Sequence, residues 1–438
     1  MTQPPGRRAF RTVWIVALAG LLFSGAASAA DTGDSLALAI ILTRHGVRSP
    51  LQTNEALNAF SAQPWPKWEV APGIQTPRGN ALMAAMGDYY HQYLTDAGAL
   101  TGDAAIDGPH VYIRADNDQR TLETGRIIGK SLVLVGEPEV NALEAGKVDP
   151  LFQPVRAGIG HPDAALGVAA VLGRMGGDPK RVDTAYATDM ARLKGVLFGP
   201  GGSPAGNASL DGSTSVVPGT PNSVVSLVGP LRTAVQCIEA LTLEYADGMP
   251  DPDVGWGRVD ERTLSDLLVL HGLFFDLTQR TFYPAQVQGS NLLSHILDTM
   301  EQAALGQPVP GAVGPVGERV VVFAGHDTNI ENLGGMLDLN WWLPGSQANP
   351  VLPGGALVFE LWKHGTEAST YTVRVSYVGE TLAQLRAGAA LSLNAPPARS
   401  AIFVPGCSGS APGYGAPLPS FVRTARKVID PRFIAEEP

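Results

Sequence analysis

Cysteine is nearly absent: Cys237 and Cys407 are the only two among 438 residues. So few exclude a disulfide framework, and neither stands at metal-site spacing from other ligands. Cys237 falls in a helical apolar pattern and Cys407 in a Pro-Gly turn, so two unpaired thiols are expected rather than a bridge. Long apolar runs are also missing beyond the first thirty residues. No later stretch holds eighteen consecutive apolar residues, which argues against a membrane-spanning helix in the mature chain. Basic residues are in deficit, with 31 Lys and Arg against 41 Asp and Glu and a formal charge of −10. That balance excludes nucleic acid as an expected partner, and any anionic ligand must be held by a local basic cluster against the global field. No internal repeat is visible.

The first thirty residues read as an export signal. Arg7, Arg8 and Arg11 form a basic leader, Val13 to Phe23 is an apolar core shorter than a bilayer span, and Ala27-Ser28-Ala29 is a small-residue cleavage site. The mature chain is expected to start near Ala30 or Asp31, in the periplasm or outside the cell. Loss of three arginines and no acid takes the formal charge from −10 to −13. The remaining stretch of about 400 residues exceeds one ordinary core and predicts one large domain with an insertion, or two domains.

Three segments share one design. Leu36 to Leu42 is apolar on both faces, as a central parallel strand must be, and runs into Thr43-Arg44-His45-Gly46. His110 to Arg114 is a second strand opening into "ADNDQRT", and Arg319 to Ala324 is a third, ending in Gly325-His326-Asp327. Open α/β sheets place their ligand crevice at such carboxyl ends. Thr76-Pro77 predicts a capped helix start, followed by Leu82, Met86, Tyr89 and Tyr93 at helical spacing. Asp118 reads as the cap of a helix through Thr121, Gly125 and Ile128, with Arg120 in its first turn. Ala356 to Trp362 and Tyr371 to Tyr377 predict a hairpin. Residues 198–223, "FGPGGSPAGNASLDGSTSVVPGTPNS", read as a loop that will not pack on its own. The expected fold is α/β: a mostly parallel central sheet flanked by helices, with a mainly helical cap insertion. Core residues 31–159 and 272–438 would bracket a cap over residues 160–271.

The charged residues carry the chemistry. Arg44, His45 and Arg48 crowd into "RHGVRSP", and a pattern of Arg-His-Gly-x-Arg-x-Pro is too long to be common by chance. Arginine in the first turn of a helix, as at Arg120, opposes the helix dipole unless an anion is bound there. Together Arg44, Arg48 and Arg120 offer planar, bidentate donors that match a phosphate. His45 among them can attack phosphorus through a ring nitrogen, and neighbouring cations favour the neutral, nucleophilic ring. His326 can donate to the phosphoryl oxygens, and Asp327 can supply the proton that a leaving alkoxide needs. Because that donor must be protonated, an acidic optimum is expected.

"RHGVRSP" with a distant "GHDTNIENLGG" resembles the histidine acid phosphatases, the larger branch of the histidine phosphatase superfamily. The likeness is strongest to bacterial periplasmic phytases and glucose-1-phosphatases, and extends through "WPKWEV", "TPRG", "DPLF", "WGRV", "LNWWLPG", "PGGALVFELW" and "LSLNAPP". It implies His45 as nucleophile, Asp327 as proton donor, and Arg44, Arg48, Arg120 and His326 as phosphate ligands. By the same likeness Asp116, Glu239, His271, Arg280 and Thr328 fall where phytases contact the substrate beyond its scissile phosphate. The implied reaction is hydrolysis of phytate or a related sugar phosphate by a monomer, with no cofactor and no metal. Leu51 and Gln52 depart from the Thr-Lys pair that phytases often carry after the motif proline, and Leu51 looks more like the glucose-1-phosphatases. A glucose-1-phosphatase or broad-specificity acid phosphatase is therefore the second reading, and a non-catalytic phosphate-binding protein the third.

Overall fold

The lack of polar alternation within the apolar runs explains why they become the middle of a sheet. In the computed structural model, the described residues are 34–133, 136–200, 210–220, 223–365 and 370–435, together with residues 1 and 202. The export signal read over residues 1–30 lies outside them apart from Met1. The strands in chain order are β1 (Ser35–Arg44), β2 (Val111–Ala115), β3 (Val140–Asn141), β4 (Ser215–Pro218), β5 (Val225–Val228), β6 (Val320–Gly325), β7 (Ala356–His364), β8 (Thr370–Gly379), β9 (Ala398–Ile402) and β10 (Ala416–Pro417). Leu38, Ile40 and Leu42 of β1 join Val321 and Phe323 of β6 in one apolar cluster, while Ala39 and Ile41 join Val320 and Val322 in another on the opposite face. Successive side chains point to opposite faces, so a run that is apolar throughout must be covered on both.

The main sheet has eight strands in the order β10-β8-β7-β1-β6-β2-β3, with β9 also on β8. β1, β6, β2 and β3 are mutually parallel. The predicted hairpin forms as β7 and β8, antiparallel to each other, with β7 antiparallel to β1. β1, β2, β3, β6 and β8 therefore point one way and β7, β9 and β10 the other, giving the expected mostly parallel sheet with an antiparallel wing.

Helices Pro77–Asp96 and Gln119–Val133 cover one face, and helices Phe282–Leu305 and Asp327–Leu337 the other. Thr76 caps the first as predicted, its hydroxyl accepting from Gly79 N at 2.9 Å with Pro77 at the first helical position. Asp118 precedes the second, but its role differs from a side-chain cap. Its carbonyl accepts from Thr121 and Leu122 while its carboxylate pairs with Arg120.

Between β3 and β6 the main sheet receives no described strand. Helices Ala164–Arg174, Ala187–Phe198, Pro230–Ala246 and Glu261–Thr278 there build a further apolar cluster around Leu193, Ala234, Ile238, Leu241, Leu267 and Leu270. The segment read as an unpacked loop over 198–223 contains a strand: β4 lies within it and pairs antiparallel with β5. Alternation in "VSLV" of β5 lets Val225 and Leu227 bury against the helices, an anchor the neighbouring Gly/Ser/Pro composition concealed. Residues 201, 203–209 and 221–222 of that segment lie outside the described residues. Cys237 is buried in helix Pro230–Ala246 and Cys407 is partly exposed; both are free.

Helix Pro77–Asp96 holds the turn after β1 by close backbone approach. A Cβ on Gly79 would sit 2.1 Å from the Val47 carbonyl oxygen. Gly79→Ala should therefore push helix and turn apart, costing ~1–3 kcal/mol. Thermal denaturation should show a melting point several degrees below the parent's, with reduced catalytic activity.

Candidate active site

β1, β2 and β6 end together. Register sets Arg44 beside Gly325 and Ala115 beside Ala324. One residue further, His45 N donates to Gly325 O at 3.0 Å and Asp116 N to Ala324 O at 3.0 Å. Arg44, His45, Asp116, His326 and Asp327 are thereby delivered to one edge of the sheet, although 283 positions separate Arg44 from Asp327.

Glycine follows His45 because nothing larger fits. A Cβ at Gly46 would lie 2.7 Å from Met83 Cγ and 3.0 Å from Gln75 Oε1. The Gly46 N–H donates to Gln75 Oε1 at 3.1 Å and Thr124 Oγ1 at 3.0 Å, and the Thr124 hydroxyl donates to Gln75 at 2.9 Å. Gln75 and Thr124 clamp the turn, yet neither stands out in the sequence, since a buried Gln before a helix cap or a Thr within a helix has no distinctive spacing.

His45 is 2% exposed. Burial and then the charges of Arg48, Arg120, Arg44 and His326 hold its imidazole well below the ordinary histidine range, so the ring is neutral. Its Nδ1 lies 2.9 Å from Gly46 O. A carbonyl can only accept, so Nδ1 carries the proton and Nε2 keeps a free lone pair.

Three guanidinium groups surround this ring. Arg44, 1% exposed, donates to Val351 O at 2.6 Å and reaches Glu239 at 2.5 Å and Asp327 Oδ2 at 3.2 Å. Arg48 Nη2 reaches the same Glu239 oxygen at 3.1 Å. Arg120, second residue of its helix, pairs with Asp118 at 2.6 Å. In all three, Nε is buried with no partner among the described residues. Such donors, desolvated and unspent, suit an oxyanion with several lone pairs.

Glu239 is the counter-ion. Burial alone would raise its pKa, but Arg44, the His271 imidazole and Arg48 outweigh this and hold it far below the carboxylate range. His271 Nε2 lies 3.4 Å from its second oxygen. Asp327 opens helix Asp327–Leu337, with Oδ1 accepting from Thr328 N at 2.8 Å. His326 Nε2 lies 2.7 Å from Asp116 Oδ2, and the rings of His45 and His326 meet edge-on with centroids 5.7 Å apart.

Two residues expected to touch substrate are placed otherwise. Asp116 is 0% exposed and its carboxylate is taken by His326, Gln153 and Asn117 N. Burial works against its ionisation, but the His326 hydrogen bond and charge outweigh that and keep it anionic. It can therefore only accept, and it orients His326 as the proton-bearing partner. Arg280 is turned inward: it pairs with Glu331 at 3.1 Å, donates to Leu339 O at 2.5 Å and stacks over Trp341 at 5.3 Å. The motif "LNWWLPG" thus serves as a lid on a buried ion pair. Buried Glu331 has its pKa pushed up to about 7 by desolvation despite Arg280.

Glu239, His271 and Thr328 instead line a cleft of about 680 Å³ together with Arg48, Asp327 and residues of β4, β5 and the two helices below them. Asp116, Asp118 and His326 also bring one potential ligand atom each within 4.8 Å of one another. Sequence spacing gave no hint of this cluster. Its acids are balanced by Arg120 and His326, so the geometry is that of ion pairs across the cradle.

Residues 35–173 and 231–378 match the histidine phosphatase superfamily (branch 2). The chain is 35% identical over 381 residues to phytase AppA of Escherichia coli (strain K12), covering 84% of this chain and 86% of that one. It is 27% identical over 418 residues to a glucose-1-phosphatase of Salmonella typhimurium, covering 94% and 97%. The solved structure of Hafnia alvei phytase in complex with myo-inositol hexakis sulphate superposes with a TM-score of 0.81 at 32% identity, over 93% of this chain and 100% of that one. Among the described residues no helix is long and apolar enough to cross a membrane. A match running through most of the sheet, and a likeness of this depth over most of the chain, place the protein in branch 2 of the histidine phosphatase superfamily, a phosphomonoesterase by descent.

Proposed function

We propose that the chain is an exported acid phosphomonoesterase that hydrolyses phytate or a related sugar phosphate through a phosphohistidine at His45. The observation that carries this reading is a neutral imidazole, its Nε2 lone pair free, set among three guanidinium groups whose buried Nε donors are unspent. Arg44, Arg48 and Arg120 hold the phosphoryl oxygens, and His326, oriented by Asp116, adds a further donor as charge spreads in the transition state. Nε2 of His45 attacks phosphorus while the bond to the leaving oxygen breaks, and protonated Asp327 gives that oxygen its proton. Water then attacks the phosphohistidine, Asp327 takes a proton from it, and the P–N bond breaks to release inorganic phosphate.

A cap over the sheet's carboxyl edge, built from residues 160–271, supplies Glu239 and His271 and closes the cleft over the leaving group. A glucose-1-phosphatase type of specificity stays as the second reading, supported by the uncharged Leu51 and Gln52 in the cleft wall. A phosphate-binding protein without catalysis would need neither His45 nor Asp327. A panel of phytate, glucose 1-phosphate and an aryl phosphate ranks these readings by phosphate release.

His45→Ala should abolish turnover, and rapid alkaline quench of the parent should trap an acid-labile phosphohistidine. Appreciable activity in the alanine variant would sink the nucleophile assignment. Asp327→Asn keeps the shape and removes the transferable proton, so phytate hydrolysis should fall on the order of a hundredfold. Aryl phosphates leave more easily and should lose less; equal losses would leave Asp327 only a positioning role.

The pH profile tests the His45 environment. Only the neutral ring can attack, and its pKa is depressed below the ordinary value of about 6.5, so the neutral fraction stays near one as pH falls through that value. The acid limb of kcat/KM should therefore lie well below pH 6.5. A limb at or above that value, assigned to the enzyme by its absence from substrate titration, would contradict the assignment.

A further inference from the structure

The cleft lined by Arg48, Glu239 and Asp327 has a charge pattern that these catalytic-edge residues do not explain. Of its basic lining residues, Arg48 and His271 both face Glu239. Arg232 does not. Its side chain has no ion pair or hydrogen bond among the described residues, and its guanidinium lies over the Phe274 ring at 5.4 Å.

Its place in the helix sharpens the point. Arg232 is the third residue of helix Pro230–Ala246, where a cation opposes the helix dipole and an anion is favoured. Arg120 stands in the same relation to its own helix, within the phosphate cradle. Arg232, Gln236 and Glu239 follow the spacing i, i+4, i+7 and line one face toward the cleft. Seven residues of helix set Arg232 roughly 10 Å along the axis from Glu239 and hence from the cradle. Between these ends Leu51, Val235 and Phe275 give the wall apolar surface beside the uncharged Gln52 and Gln236.

We infer that Arg232 is a specificity-determining residue that binds a second anionic group on the substrate, remote from the scissile phosphate, across a ring lodged on the apolar wall. The inference rests on the phosphomonoesterase reading of the His45 site and narrows its substrate class to polyphosphorylated rings. It also answers the departure at Leu51 and Gln52: where the segment after the motif proline offers no cation, the cap helix offers one. A ring carrying a single phosphate fills the cradle and leaves Arg232 unused.

The test compares the parent with Arg232→Gln and Arg232→Lys, both at an exposed position where folding is not at stake. Turnover of an aryl phosphate is inhibited with myo-inositol hexakissulfate and, separately, with inorganic phosphate. Loss of one charge-assisted contact should raise the inhibition constant of the hexakissulfate about tenfold in Arg232→Gln. KM for the aryl phosphate and the inhibition constant of inorganic phosphate should stay within about twofold. Arg232→Lys should fall between, and KM for phytate should rise in parallel with the hexakissulfate constant while kcat holds. An unchanged hexakissulfate constant would overturn the inference, as would equal rises for both inhibitors. Should the parent release no phosphate from any substrate, the catalytic reading fails by itself. Calorimetric titration of the hexakissulfate into parent and Arg232→Gln then decides the Arg232 site by the same tenfold criterion.

Discussion

Mutual repulsion among Arg44, Arg48 and Arg120 is the constraint around which the molecule is arranged. Guanidinium groups brought together out of water repel strongly, and desolvation adds to the cost. The chain offsets this with three carboxylates from three places: Glu239 from the helical layer, Asp118 beside Arg120, and Asp327 from the end of β6. Because Glu239 belongs to helix Pro230–Ala246 and the arginines to the sheet edge and its turns, charge balance ties the two parts together at the site. The imidazole in the middle stays neutral for the same reason that the arginines need counter-ions: positive potential and burial both disfavour another cation.

Positioning follows from close packing beneath those charges. Gly46 and Gly79 let the turn after β1 press against helix Pro77–Asp96 at distances that no side chain would allow. Gln75 and Thr124 then fix the turn through the Gly46 N–H. A nucleophile must be held in line with the bond it breaks, and a displacement of about 1 Å can cost on the order of a hundredfold in rate. Backbone-to-backbone packing gives that rigidity more directly than flexible side chains do.

Above the floor the cleft changes character, from buried charge to an apolar wall with Arg232 near its outer end. On the proposed reading the cradle holds one phosphate, the group common to every substrate of this chemistry. Discrimination must come from what the leaving group meets, which here means β4, β5 and the helices that carry Arg232, Glu239 and His271.

Much of the floor was legible in the sequence. Continuous apolar runs dictate buried strands, their carboxyl ends dictate a common edge, and "RHGVRSP" and "GHD" at that edge put His45, Asp327 and the phosphate-matching arginines in reach of one another. Periodicity and caps are local properties, so the strands, the Thr76 cap and the β7–β8 hairpin could be read from neighbours along the chain. The chain alone did not reveal that Asp116 serves His326, that Arg280 turns inward to Glu331, or that Val225 and Leu227 anchor a hairpin beside a Gly/Ser/Pro-rich segment. Nor did it single out Gln75, Thr124 or Arg232. In each case the deciding partner lies far away in sequence, and a side chain's hydrogen bonds and solvation are set by what packs against it in three dimensions. Residue type and local spacing determined which chemistry was possible; tertiary packing decided which charged groups were spent on structure and which were left free to bind.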